Sequence, residues 1–290
     1  MNKYTLGTIV GTALLGLAKA RTGGRNYYKP DNIEDIYSLS PQEKAQITRL
    51  DFKSKVLREL PDDIFDGFTN LKALNLWDKQ LIKLPQSIGN LTNLKNLWLA
   101  NNQLTKLPDS IRNLTNLEEL QLRENQLTEL PEWIGNLTNL TYLGFSFNQI
   151  TKLPEWIGNL TNLEDLHVWG NQLTELPEWI GNLTNLKYLT LGENQLTELP
   201  ESIGNLTNLE ELMLHRNQIT EFPDSIGNLT NLTYLGLVDN PLQKRIPKEI
   251  IIKMIQNGAD APNSQAIHQT IQEIAKMNNS ITAKSNLRIR

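Results

Sequence analysis

The chain has 290 residues, 39% of them hydrophobic, and a formal net charge of −4. It contains no cysteine, which excludes a disulfide framework, a zinc–thiolate site and a cysteine nucleophile. The charge is partitioned, with +5 in residues 1–30, −14 in 31–240 and +5 in 241–290; so acidic a centre disfavours nucleic acid and favours basic partners.

Residues 1–20 form an apolar N-terminal segment. Lys3, the uncharged stretch from Tyr4 to Ala18 and the ending Ala18-Lys19-Ala20 have the outline of a signal peptide. Thr5, Gly7, Thr8, Gly11, Thr12 and Gly16 dilute it, and Lys19, Arg21, Arg25 and Lys29 place positive charge downstream, which resists translocation. Two readings stay open: export or membrane attachment through residues 1–20, or a cytoplasmic protein with an apolar N-terminal helix. Residues 21–46 read as linker and N-terminal cap. Ser40-Pro41-Gln42-Glu43 predicts a short helix with Ser40 as N-cap and Glu43 closing a capping box, placed to cover the first strand.

A 23-residue unit then repeats from Leu71 to Asn231. One copy runs Leu94-x-x-Leu97-x-Leu99-x-x-Asn102-Gln103-Leu104-x-x-Leu107-Pro108-x-x-Ile111-x-Asn113-Leu114-Thr115-Asn116. Leu97 and Leu99 alternate as in a short strand, with both side chains on one face. Leu104, Leu107, Ile111 and Leu114 turn to the same interior, and Pro108 stops the chain from continuing as strand. One unit cannot bury these side chains alone, whereas stacked units can. The fold class is therefore an α/β repeat: a right-handed solenoid with a curved parallel sheet on the concave side and helical caps at both ends. Asn102, Asn125, Asn148, Asn171, Asn194, Asn217 and Asn240 stack into a ladder whose amides bond the backbone of neighbouring turns. Lys55 and Lys79 take the ladder position in the first two of about nine repeats, which span 47–247. Residues 248–277 are expected to form capping helices, and 278–290 a disordered basic tail.

This pattern resembles the leucine-rich-repeat proteins over about two thirds of the chain, Ile47 to Pro247. The unit is similar to the Ras-suppressor-type subclass found in plant intracellular Ras-group-related and bacterial proteins. The resemblance implies a curved solenoid that binds macromolecules on its concave face without catalysis.

On each strand the residues flanking the middle leucine vary while the frame does not. The expected partner surface comprises Trp77, Trp98, Glu119, Arg123, Tyr142, Phe147, Asp165, His167, Trp169, Tyr188, Glu211, His215 and Tyr234, because exposed aromatics make good anchors. The bland reading of the same rings is β-propensity and cross-strand packing. Acidic pairs such as Glu118-Glu119 alternate with tyrosine-bearing units. Trp133, Trp156 and Trp179 recur at one position in consecutive units as a second aromatic ladder, either a platform for sugar or peptide or a set of rings packed on each other. Asn-Leu-Thr, from Asn90 to Asn228, fits the glycosylation pattern, but the periodicity explains it. His167, His215, Asp165 and Glu211 have no known metal-ligand spacing. No catalytic residue, metal or other cofactor is expected. The first reading is a monomeric, non-catalytic interaction scaffold, fit for signal transduction, that takes a protein or peptide with basic character. The second is an exported, envelope-associated glycan-binding protein; fractionation separates the two.

Overall fold

The computed structural model describes residues 26–242, together with positions 252, 272, 275 and 276. The N-terminal segment 1–20 lies outside the described residues, as does nearly all of the expected C-terminal helices and tail. The described chain forms two compact units that divide between Leu117 and Glu118.

In unit 1, four parallel strands lie side by side in chain order: β1 (Tyr27–Tyr28), β2 (Arg49–Asp51), β3 (Ala73–Asn75) and β4 (Asn96–Trp98). Two short helices, α1 (Glu34–Tyr37) and α2 (Pro41–Gln46), connect β1 to β2. The capping box of α2 forms: the Glu43 N–H donates to Ser40 Oγ at 3.3 Å, and the Ser40 N–H to Glu43 Oε2 at 2.9 Å. Within the stretch 21–46, expected as linker and cap, the described residues 26–40 hold a strand and a helix. Tyr27–Tyr28 is a strand that pairs with β2, so β1, and not the helix at 41–46, covers that sheet edge. Tyr28 is buried, and an unpaired edge N–H or C=O gains a partner when even two residues align. α2 buries none of its side chains, whereas Ile36 of α1 is fully buried.

In unit 2, six parallel strands again follow chain order: β5 (Glu119–Gln121), β6 (Tyr142–Gly144), β7 (Asp165–His167), β8 (Tyr188–Thr190), β9 (Glu211–Met213) and β10 (Tyr234–Gly236). Each strand is three residues long, so the sheet presents few residues per unit. On the opposite side of each repeat runs a five-residue 3-10 turn, such as Glu155–Asn159 or Glu201–Asn205, begun by the Leu-Pro step. Proline fixes φ and gives up an N–H that a first turn leaves unpaired in any case.

Between the sheet and the turns, the repeated leucines and isoleucines are buried; Leu166, Val168, Leu173, Ile180, Leu183 and Leu186, for example, are all 0% exposed. Complete burial of a side chain of this size stabilises by about 1.5–3 kcal/mol, and every unit supplies the same set.

The asparagine ladder holds the turns together. Asn171 Nδ2 donates to Phe145 O of the preceding repeat (3.1 Å) and to Val168 O of its own (3.1 Å). Asn194 Oδ1 accepts the N–H of Leu173 at 3.0 Å. The same bonds recur at Asn148, Asn194, Asn217 and Asn240 in unit 2, and at Asn102 in unit 1. The residue before each ladder asparagine has a positive φ, at Asn101, Glu124, Phe147, Gly170, Glu193, Arg216 and Asp239, as does Asp78 before Lys79. That left-handed step turns the backbone so that the next amide points inward.

The ladder reading is corrected at its start. Lys79 is buried in that position, and burial pushes its amine below the usual range. Lys55 is exposed, because the chain around it makes a different turn, with Ser54 Oγ donating to Val56 O at 3.1 Å.

A second ladder went unread in the sequence. On the outer turn, Asn162, Asn185, Asn208 and Asn231 each donate Nδ2 to a threonine carbonyl one repeat earlier, at 2.9 Å, and Asn93 and Asn116 do so in unit 1. The repeated Asn-Leu-Thr-Asn run thus ends on a staple.

Candidate functional site: the strand face of unit 2

Register follows from the pairing. Glu119, Tyr142, Asp165, Tyr188, Glu211 and Tyr234 form one row across the strands. Gln121, Gly144, His167, Thr190, Met213 and Gly236 form the next. The buried middle leucine of each strand forces its neighbours onto the opposite face, so the expected surface residues of this unit share one face.

Within that face the rings join in two groups. Tyr142 and His167 have centroids 5.0 Å apart; His167 Nδ1 lies 3.1 Å from Thr190 Oγ1, and Nε2 lies 3.6 Å from Asp165 Oδ1. Trp169, His215 and Tyr234 form a continuous row, with centroids 5.7 and 6.1 Å apart and His215 Nε2 3.1 Å from the Tyr234 hydroxyl. These spacings fall in the range preferred by tilted aromatic pairs.

Glycine makes room for the row. A Cβ at Gly192 would stand 2.5 Å from Trp169 Cζ3, and a Cβ at Gly236 would overlap the His215 ring. Both glycines fall in the variable columns, where they read as mere absence of a side chain. For Gly192 the signal was Trp169 in the same column one repeat earlier; Gly236 follows Met213 in its column, so no such signal marked it.

Phe147 stands apart from the strands. It occupies the positive-φ position, is 39% exposed and carries the Arg123 guanidinium 5.1 Å from its ring centroid. Cation–π contact of this kind is worth about 0.5–1 kcal/mol at an exposed site.

Carboxylates frame the rings. Glu118 and Glu119, Glu164 and Asp165, and Glu210 and Glu211 are each half-buried. Burial and the neighbouring Glu210 carboxylate push the Glu211 carboxyl above its ordinary range, against a smaller pull from His167. Burial, then the Asp165 and Glu119 carboxylates, raise the Tyr142 phenol. Burial and Glu210, whose Oε2 accepts the Tyr188 hydroxyl at 3.3 Å, do the same for Tyr188.

The remaining expected site residues lie in unit 1. Trp77 is 54% exposed. Trp98 is half-buried under the Arg49 guanidinium, 5.1 Å from its centroid, and Arg49 also covers Tyr27 at 5.5 Å. Asp51 accepts the Tyr27 hydroxyl at 3.1 Å and pairs with Lys29 at 3.3 Å.

The second aromatic ladder is not on the strand face. Trp133 is only 6% exposed, so its ring offers no platform; Trp156 and Trp179 are half-buried on the 3-10 turns. Among the described residues, no group of three or more His, Asp or Glu is placed to hold a metal ion, and no helix is long and apolar enough to cross a membrane.

Leucine-rich-repeat family models match this chain at residues 69–127, 92–150, 138–182 and 177–278. An LRR protein of Leptospira interrogans is similar at 30% identity and a TM-score of 0.66, over 86% of this chain and 79% of its own. The chain belongs to the leucine-rich-repeat family. Two further leucine-rich-repeat structures are similar. An internalin of Listeria monocytogenes is 28% identical with a TM-score of 0.64, over 75% of this chain and 62% of its own. The plant peptide hormone receptor RGFR1, in complex with RGF2, is 29% identical with a TM-score of 0.63, over 79% of this chain and 41% of its own. None of the curated proteins matches the sequence.

Proposed function

We propose that this leucine-rich-repeat chain is a non-catalytic recognition module that holds a peptide or protein segment on the strand face of unit 2. The observation that carries the reading is the continuous row Trp169–His215–Tyr234, half-exposed beside glycine and flanked by carboxylates. Rings held in place before binding lose little entropy on contact, and the surrounding charges select partners and speed encounter. Similarity to a plant peptide hormone receptor supports the same reading.

The test is selection of peptides from a display library on the intact protein, followed by titration against Trp169→Ala/Tyr188→Ala. Loss of two anchors of about 2 kcal/mol each is expected to weaken binding by at least 100-fold. Undiminished affinity in a variant that keeps its circular dichroism and melting temperature would overturn the assignment.

A further inference from the structure

Unit 2 repeats in pairs on its strand face. Tyr142, Tyr188 and Tyr234 come every second strand, and the strands that alternate with them carry Glu118-Glu119, Glu164-Asp165 and Glu210-Glu211. Parallel strands lie about 4.8 Å apart, so each feature recurs about every 9.6 Å along the row, with tyrosine midway between acids. The row already seats one cation of its own: Lys187 Nζ donates to Glu164 Oε2 at 2.7 Å.

Deepening the peptide-binding reading on which it rests, we infer that the row is a docking surface for a basic polyproline II peptide with Lys or Arg at every third residue. The choice among backbone forms follows from pitch. A β-strand ligand shows one face every 6.6 Å or so, and roughly 9.6 Å falls between its first and second repeats. A helical ligand with cations seven residues apart repeats at about 10.5 Å and slips by about 1.8 Å over two periods. A polyproline II chain has three residues per turn and rises about 3.1 Å per residue, so its same-side residues recur at about 9.3 Å and slip by only about 0.6 Å. Its cations fall on successive acidic strands and its pyrrolidine rings on the intervening tyrosines. Prolines dock well on such rings because the chain is ordered before it binds.

The experiment titrates the full-length protein with two acetylated peptides of identical composition, four Pro-Pro-Lys triplets and an isomer with its four lysines in one block. The periodic peptide is expected to bind at least 10-fold tighter, and Glu119→Gln/Asp165→Asn/Glu211→Gln is expected to abolish that preference. Equal binding of the two isomers would show attraction by charge alone and overturn the register. If neither binds while display-selected peptides still depend on Trp169 and Tyr188, the register fails and the recognition site stands. If selected peptides ignore those residues as well, both fall.

Discussion

Asn171 and Asn208 occupy two ladders of opposite character. Replacing Asn171 with alanine removes the acceptor of the Ile150 N–H and one of two donors to each of the Phe145 and Val168 carbonyls, which keep Asn148 and Asn194 respectively. A buried donor left unpaired costs about 1–3 kcal/mol, so Asn171→Ala is expected to lose about 2 kcal/mol or more in urea unfolding. Asn208→Ala removes one exposed bond to Thr184 O and should cost about 0.5–1 kcal/mol. Comparable losses at the two sites would refute the distinction. Glu211 gives a pH signature. Its carboxyl titrates above the ordinary range, so the folded state favours the protonated acid. The stability this group contributes is therefore present below about pH 4 and lost as pH rises through the raised value. Glu211→Gln should melt higher than the wild type at pH 7, with the gap closing by about pH 4; an equal gap at both pH values would count against the cause given.

Among the elements, the 3-10 turns set how closely repeats approach. A Cβ at Gly204 would lie 2.5 Å from the Ser225 carbonyl oxygen, which is backbone and does not yield. A Cβ at Gly158 would meet Trp179 Cβ at 3.3 Å, a tight contact that small shifts relieve. Gly204→Ala is expected to cost about 1–3 kcal/mol and Gly158→Ala less than 1 kcal/mol, read by thermal or urea melts. The strands were legible from the Leu-x-Leu alternation, and the cap from Ser40 and Glu43. β1 was not, because Tyr27–Tyr28 is too short to show a period and takes its extended form from pairing with β2. Lys55 and Lys79 looked alike in the aligned repeats, yet only Lys79 is buried. Alignment fixes a position along the chain, while the local turn decides where its side chain goes.

For the molecule as a whole, charge is the lever. The −14 of residues 31–240 includes the six carboxylates on the strand face of unit 2. Raising salt from about 0.1 M to 1 M shortens the screening length from about 10 Å to 3 Å. Binding of a basic peptide should weaken by at least 10-fold over that range, whereas the unfolding midpoint should move little because the core is apolar. Salt-independent affinity in a calorimetric titration would rule out selection by charge. Of the face itself, the sequence showed which residues share it, since period two is geometric. It did not show that Trp169 lies on Gly192 or that His215 bridges Trp169 and Tyr234, because those contacts join residues 19 to 46 positions apart.

The sequence by itself determined the repeat, the strand-and-turn alternation, the buried leucine set and the inner asparagine ladder. Each of these is a local rule applied 23 residues apart, and stacking identical units leaves one solution. Tertiary structure alone decided the β1 edge, the outer asparagine staple, the burial of Trp133 and the continuous ring row. These depend on what the neighbouring turn places against a given side chain, and that is fixed by packing across repeats rather than by any residue's own preference.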